Sequence, residues 1–422
     1  TGFGRTGTVD WCTTAKTSPF TATSGDGFFI NTTSGAITVT LPASPSAGDI
    51  VAVKDYTGTS GCNAITIGRN GSKIRGVCSC VSISQNNAGA QLIYVDGTEG
   101  WQIFQCGSDD DIQATYIQAT GGTTSTSGDY KIHTFNADAN FVVSSVGNSK
   151  GGGDKVSYAV VAGGGGGSRG SGGGGGAGGF REGKCTSDPY TASPLDAGEG
   201  LQVSAASFPI TVGAAGAKSP NCNATGGSGA NSIFSSITSA GGGGGNMNAA
   251  NPTGQGDGVA GGSGGGGGQR GANPASTDGG AGNTPPVSPP QGNNGGGGVT
   301  VDNTGSGGGG GATAAGVAGD PSAPSPAVDG KGGNGGAGAT TNITGSPVAY
   351  AGGGGGGSGN RPNGSSGGTG GGGNGGYGPS TNATAGTTNL GGGGGGAGYC
   401  SSTLGQAAGG SGVVIIRYKF QN

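Results

Sequence analysis

The stretch VAYAGGGGGGSGNRPNGSSGGTGGGGNGGYG, which begins at Val348, holds six consecutive glycines. Comparable tracts recur at 163–167, 172–176, 241–245, 264–268, 295–298, 307–311, 352–357, 370–373 and 391–396. Glycine is a poor helix former and weakens a strand interior, so the tracts exclude the ordinary elements over much of the chain. With 112 glycines and 19 prolines in 422 residues, the composition is one that usually marks low complexity or disorder. Disordered chains, however, resist collapse mainly through net charge. Here only 9% of residues are charged and the formal net charge is −3, so repulsion does not hold the chain open. The tracts are also even in length, and the inserts between them are rich in Asn, Ser, Thr, Pro and Ala.

One ordered form suits such tracts. A left-handed helix of the polyproline II type has three residues per turn, rises about 3.1 Å per residue and makes no internal hydrogen bonds. Its N–H and C=O groups point outward and can bond to neighbouring helices, provided that no Cβ stands between them. Ordering a residue's backbone costs roughly 1–2 kcal/mol, and more for glycine. A hydrogen bond returns only about 0.5–1.5 kcal/mol net. A tract with one neighbour loses on this comparison, whereas one surrounded on several sides uses both backbone groups of every residue. The glycines therefore read as a rigid, side-chain-free block with the inserts emerging as loops. Loops on a rigid scaffold are the usual place for recognition.

The flanking sequence reads as β-structure. GAITVTLPAS, DIVAVKDY and NAITIGRNGSKI alternate apolar and polar positions, and AQLIYV-DGTEG-WQIFQ has the form of a hairpin. ATYIQAT, DYKIHTFN, ANFVVSSV and VSYAVVA supply further strands, the last running into the first tract. The chain closes on GVVIIRYKF, and pairing of 156–162 with 413–420 is expected to close the glycine-rich part. The predicted fold is all-β plus a polyglycine II helix bundle, an N-terminal β domain followed by a glycine-rich sandwich bracketed by strands. The expected divisions are a β-rich domain at 1–111 ending in the acidic joint Asp109–Asp111, a β segment at 112–162, and the polyglycine II domain at 163–422.

Composition also narrows function. The charge balance offers no basic stripe for nucleic acid, and no apolar run approaches the roughly 20 residues that span a bilayer. The chain begins at Thr1 without a methionine, as expected of a processed form or a piece of a longer polypeptide. The eight cysteines are Cys12, Cys62, Cys78, Cys80, Cys106, Cys185, Cys222 and Cys400, and no C-x-x-C pair of a zinc site is among them. They are expected mostly as buried thiols, with disulfides open to a protein working outside a cell. Cys185 and Cys222 stand where they can close one glycine-poor insert.

DYKIHTFNADANFVV, VSYAVVAGGGGG, FPITVGAAG, ITSAGGGGG and the terminal GGSGVVIIRY resemble the glycine-rich domain of bacteriophage tail fibres and adhesins, over about 113–422. In T-even-type distal tail-fibre adhesins, polyglycine helices form a sandwich whose loops touch the host receptor. PFTATSGDGFFINTTSGAITVTLPASPSAGDIVAVKDY, with RNGSKI and LIYVDGTEGWQI, is similar to a β repeat in tail fibres of marine phages, especially cyanophages. The resemblance implies a virion protein of a tail fibre or other surface appendage. It would attach to a bacterial surface receptor (a glycan or an outer-membrane protein), as a homotrimer joined to other fibre or tail proteins. A purely structural appendage or filament component, without receptor-binding loops, is the alternative.

The scaffold glycines of this reading begin the tracts at Gly163, Gly172, Gly241, Gly264, Gly307, Gly352 and Gly391. Candidate receptor loops are 246–263, 269–294, 312–351, 358–369 and 374–390, whose Asn, Ser and Thr offer hydrogen bonds to sugar hydroxyls. Tyr350, Arg361, Asn363 and Tyr377 are the candidate receptor contacts, through stacking faces, a charge and an amide; against this, Tyr350 also reads as a cap on the end of a tract. GGSRG at 166–170 matches the G-x-S-x-G elbow of hydrolases, but so glycine- and serine-rich a chain produces that match by chance. His133 is the single histidine and lies in a predicted strand. No carboxylate pair stands out for glycoside hydrolysis, and the Asp offsets of calcium-binding glycine repeats are missing. No catalytic residue, metal site or cofactor is expected. The N-x-[ST] sequences at Asn31, Asn70, Asn223, Asn342, Asn363 and Asn382 read as loop chemistry.

Overall fold

The computed structural model describes residues 9–108, 115–148, 151–222, 224–247, 256–269, 277–299, 305–320, 330–359, 364–378, 381–398 and 407–421. The acidic joint, Arg361, Asn363 and Asn223 lie outside them. The described residues are strands, turns and extended chain, with no helix. The chain divides into two compact units, Thr1–Thr115 and Tyr116–Asn422.

The first unit contains β1 (Asp10–Lys16), β2 (Phe20–Thr21), β3 (Asp26–Ile30), β4 (Ile37–Thr40), β5 (Ile50–Asp55), β6 (Ile65–Gly68), β7 (Val81–Ile83), β8 (Ala88–Asp96) and β9 (Gly100–Ser108). Through β6 the chain alternates between two sheets, of order β1-β3-β5-β8-β9 and β2-β4-β6-β7. Each crossover is thus a strand of the opposite sheet, and β1, β3 and β5 run parallel, as do β2, β4 and β6. The period-two pattern turns Ile30, Val39, Leu41, Val51, Ile65, Leu92 and Trp101 into one core. Asp55, 2% exposed, accepts backbone N–H bonds from Thr57, Gly58, Ser60 and Asn87 and so fixes the loop after β5. Burial pushes its carboxyl up, but the hydrogen bonds from Ser60, Asn87 and Thr57 outweigh this and hold it below the usual carboxylate range.

The second unit contains β10 (Gln118–Thr120), β11 (Thr123–Ser127), β12 (Tyr130–Phe135), β13 (Ala139–Ser145), β14 (Lys155–Val161), β15 (Phe180–Gly183), β16 (Leu201–Gln202), β17 (Ser207–Thr211), β18 (Ser232–Phe234), β19 (Ile237–Ser239), β20 (Ala339–Thr341), β21 (Val348–Tyr350) and β22 (Val413–Lys419). One sheet has the order β10-β13-β17-β18-β19 and another β11-β12-β22-β14-β15, with β16 added to β14; β20 and β21 form a hairpin. Strands β14 and β22 pair antiparallel from Ser157↔Arg417 to Val161↔Val413, the closure expected from the sequence. Phe141, Tyr158, Val160, Phe234, Ile416 and Tyr418 form one core cluster, and Ile132, Val161, Phe180, Tyr350 and Ile415 a second.

Beyond the sheets the glycine tracts continue as extended strings joined by backbone hydrogen bonds. From residue 163 onward, N–H donors go in turn to Ala230, Gly410, Gly176, Gly227, Ala407 and Gly173, so the recipient string repeats every third residue. Carbonyls 163 to 168 likewise accept from Gly242, Gly216, Gly394, Gly245, Ser219 and Ala397. String 163–168 therefore bonds to six neighbours, three by donation and three by acceptance. String 172–179 is similarly enclosed by strings reached at Ala397, Asn246, Gly307, Gly357, Ser168 and Gly266. A Cβ built on Gly165, Gly175, Gly309 or Gly354 would fall well inside 3.0 Å of the carbonyl oxygen of Gly243, Gly165, Gly175 or Gly394 respectively. This close approach is what the run of glycines provides.

The inserts depart from the expectation of loops. Much of each returns as an outer string: 213–219, 226–230, 258–262, 279–282, 314–319, 332–338, 365–368, 383–387 and 407–412 all bond to the tracts or to one another. In 213–219 burial itself has period three, with Gly213, Gly216 and Ser219 buried and Ala214, Ala215, Ala217 and Lys218 exposed.

Candidate functional site

String direction fixes where each connection leaves the block. String 163–168 continues β14, and 407–412 leads into β22, so the sheets define one end of the strings. Strings 241–246, 263–268, 293–298, 314–319, 352–357, 372–376 and 391–397 run away from that end, judged by their parallel or antiparallel registers with their neighbours. The chain after each of them leaves at the far end. The near end carries the β18–β19 and β20–β21 hairpins, the loop 283–291 and the short turns at 312–314, 369–371 and 388–391.

Hydroxyls and amides finish the strings where glycine stops. At the far end, Ser358 Oγ accepts the Gly332 N–H at 2.7 Å, Thr277 Oγ1 donates to the Gly268 carbonyl, and Ser306 Oγ donates to the Ser171 carbonyl. At the near end Asn283 Oδ1 accepts from the N–H groups of Val287 and Gln291 at 3.1 and 3.2 Å. Gln291 Oε1 in turn accepts the Ala240 N–H at 2.8 Å. On the outer strings an asparagine oxygen takes the place of a missing carbonyl. Asn294, Asn334 and Asn374 accept the N–H groups of Gly282, Ser366 and Gly367, each at 2.9 Å.

The candidate contacts do not form one cluster. Tyr350 closes β21 at the near end, is 4% exposed and packs on Phe180 with ring centroids 6.4 Å apart. Burial, with the Glu182 charge, pushes its hydroxyl up to about 12. It caps tract 352–357 and presents no stacking face to solvent. Tyr377 lies at the far end, half-buried, its backbone bridged to Ser358 and Thr381. A Cβ on Gly364 would lie 3.4 Å from its ring, so Tyr377 stands beside Gly364, while Arg361 and Asn363 lie outside the described residues.

The titratable groups of the near end have structural partners. Arg417 Nε donates to both Asp188 carboxylate oxygens, at 3.0 and 3.1 Å, and its guanidinium lies over the Tyr130 ring at 4.6 Å. Ser157 Oγ donates to Asp188 at 3.0 Å. Burial pushes the Asp188 carboxyl up against the pull of Arg417. Glu182, 1% exposed, accepts from the Tyr190 hydroxyl, the Ser193 N–H and the Thr341 hydroxyl, and burial pushes it up too. His133 is fully buried. Its Nδ1 lies 2.6 Å from the Gly121 carbonyl and so donates, which leaves Nε2 to accept from the Tyr418 hydroxyl at 3.0 Å. Ser168 of GGSRG is buried at the far end, with its hydroxyl toward the Arg169 carbonyl, and does not face His133. Among the described residues no group of three or more His, Cys, Asp or Glu side chains is placed to hold a metal.

The cysteines correct the sequence reading twice. Cys185 is a free thiol, so it does not bond to Cys222, which is in a disulfide with another residue. Cys62, Cys78 and Cys80 are exposed free thiols rather than buried ones, because each stands outside the alternating strands.

Hydrogen-bonded glycine strings continuing from β-sheets define a glycine-rich, all-β chain. The chain belongs to the glycine-rich domain family, which matches residues 145–419 and so takes in every glycine string together with the closing strand β22. A search of curated proteins finds no match to the chain.

Proposed function

We propose that this protein is a non-enzymatic virion fibre component that attaches to a bacterial surface receptor through connections displayed at the far end of a polyglycine II block. The carrying observation is the period-three exchange of hydrogen bonds between 163–168 and six neighbours. Three residues per turn with outward backbone groups is the signature of that helix. At about 3.1 Å per residue, a six-residue tract gives a block about 19 Å deep. Repeated delivery of the chain to one end, by strings hydrogen-bonded to one another, favours display there. Tyr377 is the described candidate on that end; Tyr350 has no part in it. Assembly as a homotrimer with other fibre or tail proteins, at a virion surface, belongs to the same reading.

The test is binding of the labelled chain to a panel of bacteria, before and after the connections 359–364 and 377–381 are replaced by Gly-Ser chains of equal length. Loss of binding with an unchanged melting temperature is expected. Binding that survives replacement of every far-end connection would leave a structural appendage as the better description. Release of short sugars from host glycans would overturn the non-enzymatic assignment.

A further inference from the structure

The sequence Val77-Cys78-Ser79-Cys80 is exposed throughout, and Val77 is 57% exposed. Cysteine is among the residue types most often buried, so two of them beside an exposed valine make an unusual surface. The segment is held in place at both ends. Ile74, 1% exposed, exchanges backbone hydrogen bonds with Val77 at 3.0 and 3.1 Å, and the Arg75 N–H donates to the Trp101 carbonyl at 2.8 Å. On the other side Val81 begins β7, which pairs with β6. The thiols therefore cannot withdraw into the core. Neither is bonded to the other or to a third cysteine.

Cys222, in contrast, is disulfide-bonded. Disulfides persist in oxidising surroundings, where exposed thiols without a partner in their own chain become available for intermolecular pairing. We infer that Cys78 and Cys80 form interchain disulfides with the same segment of a second copy of this chain. A second copy brings an equal number of thiols on an equally exposed segment, so every thiol of the pair finds a partner. Each bond joins two thiol sulfurs with loss of two protons and two electrons. A low-molecular-weight disulfide accepts them and leaves as two thiols.

The experiment uses the full chain, produced in an oxidising compartment as a mixture of unlabelled and nitrogen-15-labelled copies and purified without reductant. Non-reducing electrophoresis should give a covalent oligomer that reductant dissolves. Mass spectrometry should find peptides containing Cys78 and Cys80 joined between labelled and unlabelled copies. C78S/C80S should lower the cross-linked fraction at least tenfold, while C62S leaves it unchanged. Quantitative alkylation of Cys78 and Cys80 before reduction, with Cys222 protected, would overturn the inference. So would a Cys78–Cys80 bond within one chain, a small-molecule adduct on both thiols, or linkage through Cys62 alone.

Discussion

Gly175 donates to the Gly394 carbonyl at 2.8 Å and accepts from the Gly354 N–H at 2.9 Å. A Cβ there would run into the carbonyl of Gly165, a backbone atom that other strings hold in place. Gly175→Ala should therefore destabilise the second unit by about 3 kcal/mol, at the upper end of the cost of overpacking. Gly227 on an outer string meets nothing closer than 3.0 Å, and Gly227→Ala should cost about 1 kcal/mol. Thermal unfolding of the two variants checks the contrast. At His133 the charged form is disfavoured, because burial lowers its pKa more than the Gly121 carbonyl raises it. The unfolded chain then takes the proton first. Stability should fall as the pH drops below about 6.5, the ordinary histidine value, and level off below the folded-state pKa. As His133 is the only histidine, NMR titration reads its ring directly, and a midpoint below 6.5 is expected.

The outer strings show how side chains are admitted to such a block. In 213–219 every third residue faces the tracts, and the two between face solvent. Gly216→Ala would place a Cβ inside 3.0 Å of the Gly227 carbonyl, whereas Ala215 and Lys218 are exposed. Urea unfolding should find Gly216→Ala destabilising by about 2 kcal/mol, and Ala215→Ser and Lys218→Ala within about 0.5 kcal/mol of the parent. The tracts, the bracketing strands and the β8–β9 hairpin were legible in the sequence because each has an unbroken period or a turn signal. The outer strings were not, since Ala, Asn, Thr and Lys at the solvent-facing positions make them look like loop. Their signal was the spacing of Gly213, Gly216 and Ser219, and single asparagines such as Asn334 and Asn374 inside otherwise glycine-rich runs. Tyr350 reads from sequence both as a candidate contact and as a cap on the end of a tract; the β20–β21 hairpin turns it into the core against Phe180, as the second reading has it.

Across the second unit, protection should be graded by enclosure rather than by secondary structure. Amides of 163–167 and 172–176 are bonded on all sides of their strings, whereas Ala314 and Thr388 sit on turns at the near end. Hydrogen exchange should find the enclosed glycines opening only with global unfolding, several kcal/mol above the turn residues. Equal exchange rates in both sets would mean that the strings open one by one. The rotation of donors through three neighbours has a consequence for how such a chain can change. Adding or removing three residues within a string hands every later amide back to the string it served before. Adding one or two sends each later amide toward the wrong side. The block thus has a reading frame written in backbone geometry: an insertion of three residues inside a string keeps every later partner, while the connections outside it are free of that count.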